Sequence, residues 1–158
     1  MKVSSNEEGG TRDAIRVLLV PPNDYPRKVE IGSDLKSLQE AVGGDIEATY
    51  PFEDSAAIIL NENGKLIGLP PNRMLCSEDG RPYDVLAGPF LVAGLGEEDF
   101  CSLTDEQMKV YEKKFHQPEA FVKLGRSVMV MKLTDEMVEN MRSSTEKDGR
   151  NSRHDQER

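Results

Sequence analysis

Residues 56–60 and 65–69 are two apolar runs separated by Asn61-Glu62-Asn63-Gly64. Short apolar runs ended by an Asn-Gly pair predict a β-hairpin, because both residues tolerate the positive φ of a tight turn. The rest of the chain repeats this punctuation. A β-branched and aliphatic run over 14–20 stops at Pro21-Pro22, a shorter one over 28–31 follows Asn23-Asp24-Tyr25-Pro26, and 46–52 alternates up to Pro51. Asp79-Gly80 precedes a run over 83–93 that holds one or two strands, and a last strand is expected over 128–133. No run approaches the ~20 apolar residues needed to cross a bilayer, and none follows Met1 as a signal peptide would.

Two helices interrupt the strands. Ser33 is the expected N-cap of the first, in which Leu35, Leu38, Ala41 and Val42 recur at helical spacing before Gly43-Gly44. Thr104-Asp105-Glu106-Gln107 is a capping box opening the second, with Met108, Tyr111 and Phe115 on one face. Thr134 is positioned to cap a further short helix. Strands, a helix after the second strand, more strands and a helix packed near the C-terminus predict an α+β domain with a mixed or mainly antiparallel sheet.

The charge is unevenly distributed. Residues 1–12 and 143–158 are polar, balanced in charge and almost free of apolar side chains, so both are expected to be flexible or disordered tails. The net charge of -9 therefore belongs to a single domain over 13–142, of which 116–142 is an extension. Residues 45–106 contain 13 acids against Lys65, Arg73 and Arg81. That balance disfavours nucleic acid and anionic membranes, whose binding draws on Lys and Arg. It fits either a solvated acidic surface or a carboxylate array that docks a basic protein, as DNA phosphates would. The docking face is expected at Glu53-Asp54, Glu78-Asp79 and Glu97-Glu98-Asp99.

Catalytic and metal chemistry find little support. Gly94-Leu95-Gly96 leads into three acids that would oppose a pyrophosphate. Cys76, Cys101, His116 and His154 lack the close pairing of metal ligands. The two cysteines are expected as small apolar fillers, and isolated thiols suit a reducing cytoplasm. His116 is expected to cap the end of the second helix. Among the carboxylates only Glu47, between Ile46 and Ala48, has an apolar setting; no catalytic residue, cofactor or metal is assigned. Two segments suit a binding site instead. Pro70 and Pro71 hold the chain extended, so that Asn72 and Arg73 are expected to leave the sheet in a fixed direction. There Arg73 either pins the loop by neutralising a carboxylate or offers a guanidinium fork to an anion. Tyr50-Pro51-Phe52, as core or cleft rim, completes the candidate set. Met129, Met131, Met137 and Met141 suggest either core packing or a dimerising arm.

These segments, above all Gly68 to Arg73 and Phe100 to Gln107, resemble a bacterial and phage family catalogued as domain of unknown function 3846, over about residues 14–115. The resemblance implies a small cytoplasmic accessory protein of chromosomes, phages and mobile elements, with no catalytic residue to carry over. The expectation is thus a non-enzymatic module that binds a basic partner and modulates a host or defence system. The alternative is a domain that sequesters a small molecule, such as a nucleotide, between Tyr50, Phe52, Pro70, Pro71, Asn72 and Arg73.

Overall fold

The computed structural model describes residues 14–144. The tail expected over 1–12 lies outside the described residues, as does all but the first two residues of the one expected over 143–158; residues 143 and 144 are helical. The fold is α+β with antiparallel pairing throughout. Strands β1 (Ala14–Val20), β2 (Arg27–Gly32), β3 (Ile46–Thr49), β4 (Ala56–Asn61) and β7 (Phe90–Leu95) form the central sheet in the order β2-β1-β7-β4-β3. The two-residue β8 (Phe100–Cys101) joins the end of β7. Two hairpins stand apart from this sheet: β5 (Pro71–Cys76) with β6 (Pro82–Ala87), and β9 (Glu119–Leu124) with β10 (Ser127–Lys132).

Strand alternation divides the core between the two sheet faces. Leu18, Val20, Ala56, Ile58, Phe90 and Val92 point to one side, where helix α2 (Asp105–Lys114) and the β5–β6 hairpin cover them. Met108, Tyr111 and Phe115 supply the helix side of this core, as their spacing predicts. Ile15, Val17, Ile59, Leu91 and Ala93 point to the other side, against Leu38 of helix α1 (Leu35–Val42). The N-cap of α1 is Asp34, not Ser33: its carboxylate accepts the Ser37 N–H, and Gly43 closes the helix at φ 82°. A third helix, α3, spans 135–144 behind Thr134, whose hydroxyl accepts the Met137 N–H.

The hairpin expected over 56–69 does not form. Central strand β4 pairs with β3 on one side and β7 on the other, leaving no edge for 65–69. Asn61 redirects the chain: its buried side chain accepts the Asn63 N–H and donates to Val42 O at the end of α1. Residues 62–69 then coil, with Ile67 N–H on Asn63 O and Leu69 N–H on Gly64 O, and leave Leu66 in solvent. Gly94 is an interior residue of β7 and no part of a nucleotide loop. A Cβ there would lie 2.6 Å from Ser102 O, so the glycine is what lets the β8 segment approach.

Candidate functional site

The segment expected to project from the sheet is folded into it. Asn72 and Arg73 lie in β5 and are fully buried. Asn72 Nδ2 donates to Val20 O and Gly88 O at 2.8 and 2.9 Å. The Arg73 guanidinium donates to Phe115 O through Nε and Nη2 (3.0 and 2.8 Å), to Asp24 O (2.9 Å) and to Asn72 Oδ1 (2.8 Å). Burial pulls its pKa down to about 10, partly offset by the charges of Glu119 and Asp24, so it stays cationic at neutral pH. Arg73 thus pins the Pro21–Asp24 loop and the end of α2 through carbonyl dipoles, with no ion pair among the described residues. Its fork is not open to an external anion.

The other expected cleft residues diverge as well. Phe52 packs inward, 4.5 Å from the Tyr111 ring centroid and 6.4 Å from that of Phe115, whereas Tyr50 points to solvent. Pro70 and Pro71 are exposed at the start of β5. A cleft of about 170 Å³ does open between the β3–β4 edge and β6, near Glu47, Thr49 and Leu60. The Lys65–Asp84 ion pair (2.7 Å) lies in its wall, and it is smaller than the ~300 Å³ at which small-molecule sites begin. Cys76 is exposed and Cys101 half-buried, so Cys76 is no core filler. The His116 ring, instead of capping α2, stacks on Tyr25 at 4.9 Å. Among the described residues no group of three His, Cys, Asp or Glu side chains is placed to hold a metal ion.

Five of the seven expected docking acids meet at one end of the molecule. Leu95 N–H bonds to Ser55 O at 3.1 Å, which sets the 53–55 loop beside the 96–99 turn. Gln107 Nε2 reaches both Asp54 Oδ2 (3.1 Å) and Ser55 O (3.3 Å), bringing the start of α2 to the same place. Asp105 and Glu106 in its first turn, where the helix dipole favours anions, therefore extend the group formed by Glu53, Asp54, Glu97, Glu98 and Asp99. Hydrogen bonds from Tyr111 Oη (2.8 Å), Gln107 and the Ser55 N–H hold Asp54 below the usual carboxylate range. Such a carboxylate is a poor proton carrier and a dependable negative charge. Arg16 bridges to Asp105 at 3.4 Å and is the cation bonded to this end. Glu78 and Asp79 sit apart, on the β5–β6 turn, where the Ser77 hydroxyl and Arg81 N–H engage Asp79.

A basic stretch begins within α2 and runs on into the β9–β10 hairpin. Residues 107–133 contain six bases, Lys109, Lys113, Lys114, Lys123, Arg126 and Lys132, against Glu112 and Glu119. Lys109, Lys113 and Lys132 border an open depression beside the C-terminal turns of α2, together with Glu112, His116 and Gln117. The count was available in the sequence, but an average over 13–142 conceals it.

Fold and surface together define an α+β domain with oppositely charged ends. The chain belongs to the family described as Domain of unknown function (DUF3846), whose model matches residues 15–116. No curated protein and no solved structure matches it. The β9–β10 hairpin and α3 lie beyond the matched segment, and no helix among the described residues is long and apolar enough to cross a membrane.

Proposed function

We propose that this protein is a non-enzymatic docking module whose acidic end binds a basic protein partner, through which it modulates a host or defence system. The observation that carries the proposal is the convergence of Glu53, Asp54, Glu97, Glu98 and Asp99 with the first turn of α2, held by the Leu95–Ser55 and Gln107–Asp54 hydrogen bonds. The Asp54 carboxylate, anchored by Tyr111, Gln107 and the Ser55 N–H, needs little ordering on binding, and the group as a whole steers a cationic partner from a distance. The alternative of a small-molecule site at Tyr50, Phe52 and Arg73 loses support, since Phe52 and Arg73 are turned inward.

Affinity capture from a bacterial or phage-infected lysate tests the proposal. The intact protein is expected to retain a basic partner that a Glu53→Gln, Glu97→Gln, Glu98→Gln, Asp99→Asn variant loses. A Glu78→Gln control is expected to keep it. Equal recovery by the fourfold variant would remove the acidic end from the interface.

A further inference from the structure

We infer that β10 is a self-pairing edge, through which two copies of this chain join their β9–β10 hairpins into one four-stranded antiparallel sheet. Among the described residues strand β10 pairs with β9 alone, so one row of its N–H and C=O groups has no strand partner there. Strands β2, β3 and β6, which are also outer strands, carry features that discourage such pairing. Strand β2 presents Arg27, Lys28 and Glu30; β3 is four residues long with Glu47 at its centre; β6 opens with Pro82 and carries Asp84. Strand β10, Ser-Val-Met-Val-Met-Lys, has no proline, keeps an unbroken six-residue register with β9, and bears its single charge at its last residue. Pairing order places Val122, Leu124, Met129 and Met131 on one face of this hairpin, each at least 40 % exposed.

The chain itself shows what fits this edge. Residues 1–13 and 145–158 offer only Met1 and Val3 as apolar side chains, so neither terminal segment can supply an alternating apolar strand. A second copy can. Antiparallel two-fold pairing that keeps the apolar faces on one side leaves two registers with five residues of β10 overlapping. Centring on Met129 sets Arg126 opposite Lys132 of the second copy, cation against cation. Centring on Val130 sets Met129 opposite Met131, Val128 opposite Lys132, and Arg126 opposite Thr134. Arg126 then lies beside Asp135 and Glu136, the acidic first turn of the second copy's α3. Asp135 is already engaged by the Tyr25 hydroxyl and Gln117, whereas Arg126 and Glu136 have no ion pair among the described residues. Charge complementarity therefore selects the Val130-centred register, with an Arg126–Glu136 contact on each side of the two-fold axis.

Sedimentation of the full chain over a concentration series tests this independently of the acidic-end proposal. A species of twice the 17.6 kDa chain mass is expected. Arg126→Glu and Glu136→Arg should each raise its dissociation constant about tenfold, since each reverses two exposed charge pairs. The double variant should restore it. Within one copy these residues lie at opposite ends of β10, so rescue can only arise between copies, and circular dichroism confirms that each variant is folded. A monomer at every concentration would overturn the inference. So would a dimer indifferent to both substitutions, or β10 amides that gain protection from exchange only when a different protein is added.

Discussion

At Arg73 a cation sits in the core with backbone carbonyls and an amide oxygen as its hydrogen-bond acceptors. Arg73→Ala would leave Phe115 O and Asp24 O without their donor and open a cavity, so it is expected to cost about 4 kcal/mol in urea unfolding. Arg73→Lys keeps the charge but loses the fork, and about half of that loss is expected to remain. Burial of Arg73 was not legible in the sequence, because arginine is seldom fully buried and its acceptors are backbone groups contributed by residues 42 and 49 positions away. Only its pinning role was anticipated, and with the wrong kind of acceptor. Asp54 lends itself to a pH test. Asp34, Asp54, Asp79 and Asp135 are all held below the usual aspartate range by hydrogen bonds. A depressed folded-state pKa contributes stability that is complete above the unfolded value of about 4 and is lost as pH falls through the folded one. Urea-unfolding free energy is therefore expected to be level near neutrality and to decline below about pH 5, with a shallower decline in Asp54→Asn.

Elements with a local signature were readable. The Thr104 capping box, the Gly43 stop and the β1 run ended by Pro21 all use hydrogen bonds or φ preferences set within four residues. Gly43→Ala meets no neighbouring atom, so its expected loss of about 1 kcal/mol in thermal or urea unfolding reports the αL backbone alone. The 56–69 segment misled because neither Asn63 nor Gly64 takes the positive φ that a tight hairpin turn needs, and the chain is turned at Asn61 instead. Asn61 ties the end of β4 to α1, a contact across 19 residues that no local pattern encodes. Asn61→Ala, losing two side-chain hydrogen bonds at a buried position, is expected to destabilise by about 2 kcal/mol. Strand β9 was missed for a related reason. Glu119 to Leu124 sets Phe121 on the face of Glu119 and Lys123, opposite Ala120, Val122 and Leu124, and this blurs the alternation that marks a strand. Its remaining signal was the Gly125-Arg126 turn before β10.

Over the whole molecule, helix α2 lies along a charge gradient. Its first turn holds Asp105 and Glu106 and its last holds Lys113 and Lys114, in the sense that the helix dipole favours. The acidic clusters were visible in the sequence, but which of them meet was not. Glu53-Asp54 and Glu97-Glu98-Asp99 are joined through β4 and β7, whose register begins at Ala56 opposite Gly94, far apart in the chain, while Glu78-Asp79 belongs to a separate hairpin. A self-paired β10 would give each assembly two acidic ends, so that a partner with two basic sites gains from both. The most direct test of the acidic end is the affinity of the captured partner measured by calorimetry from about 0.05 to 0.5 M salt, a range over which the screening length falls from about 14 to 4 Å. Docking through this end predicts that the dissociation constant rises at least about tenfold across the range, and that the fourfold neutralised variant binds weakly with a flattened salt dependence. An affinity that salt and neutralisation both leave unchanged would contradict it.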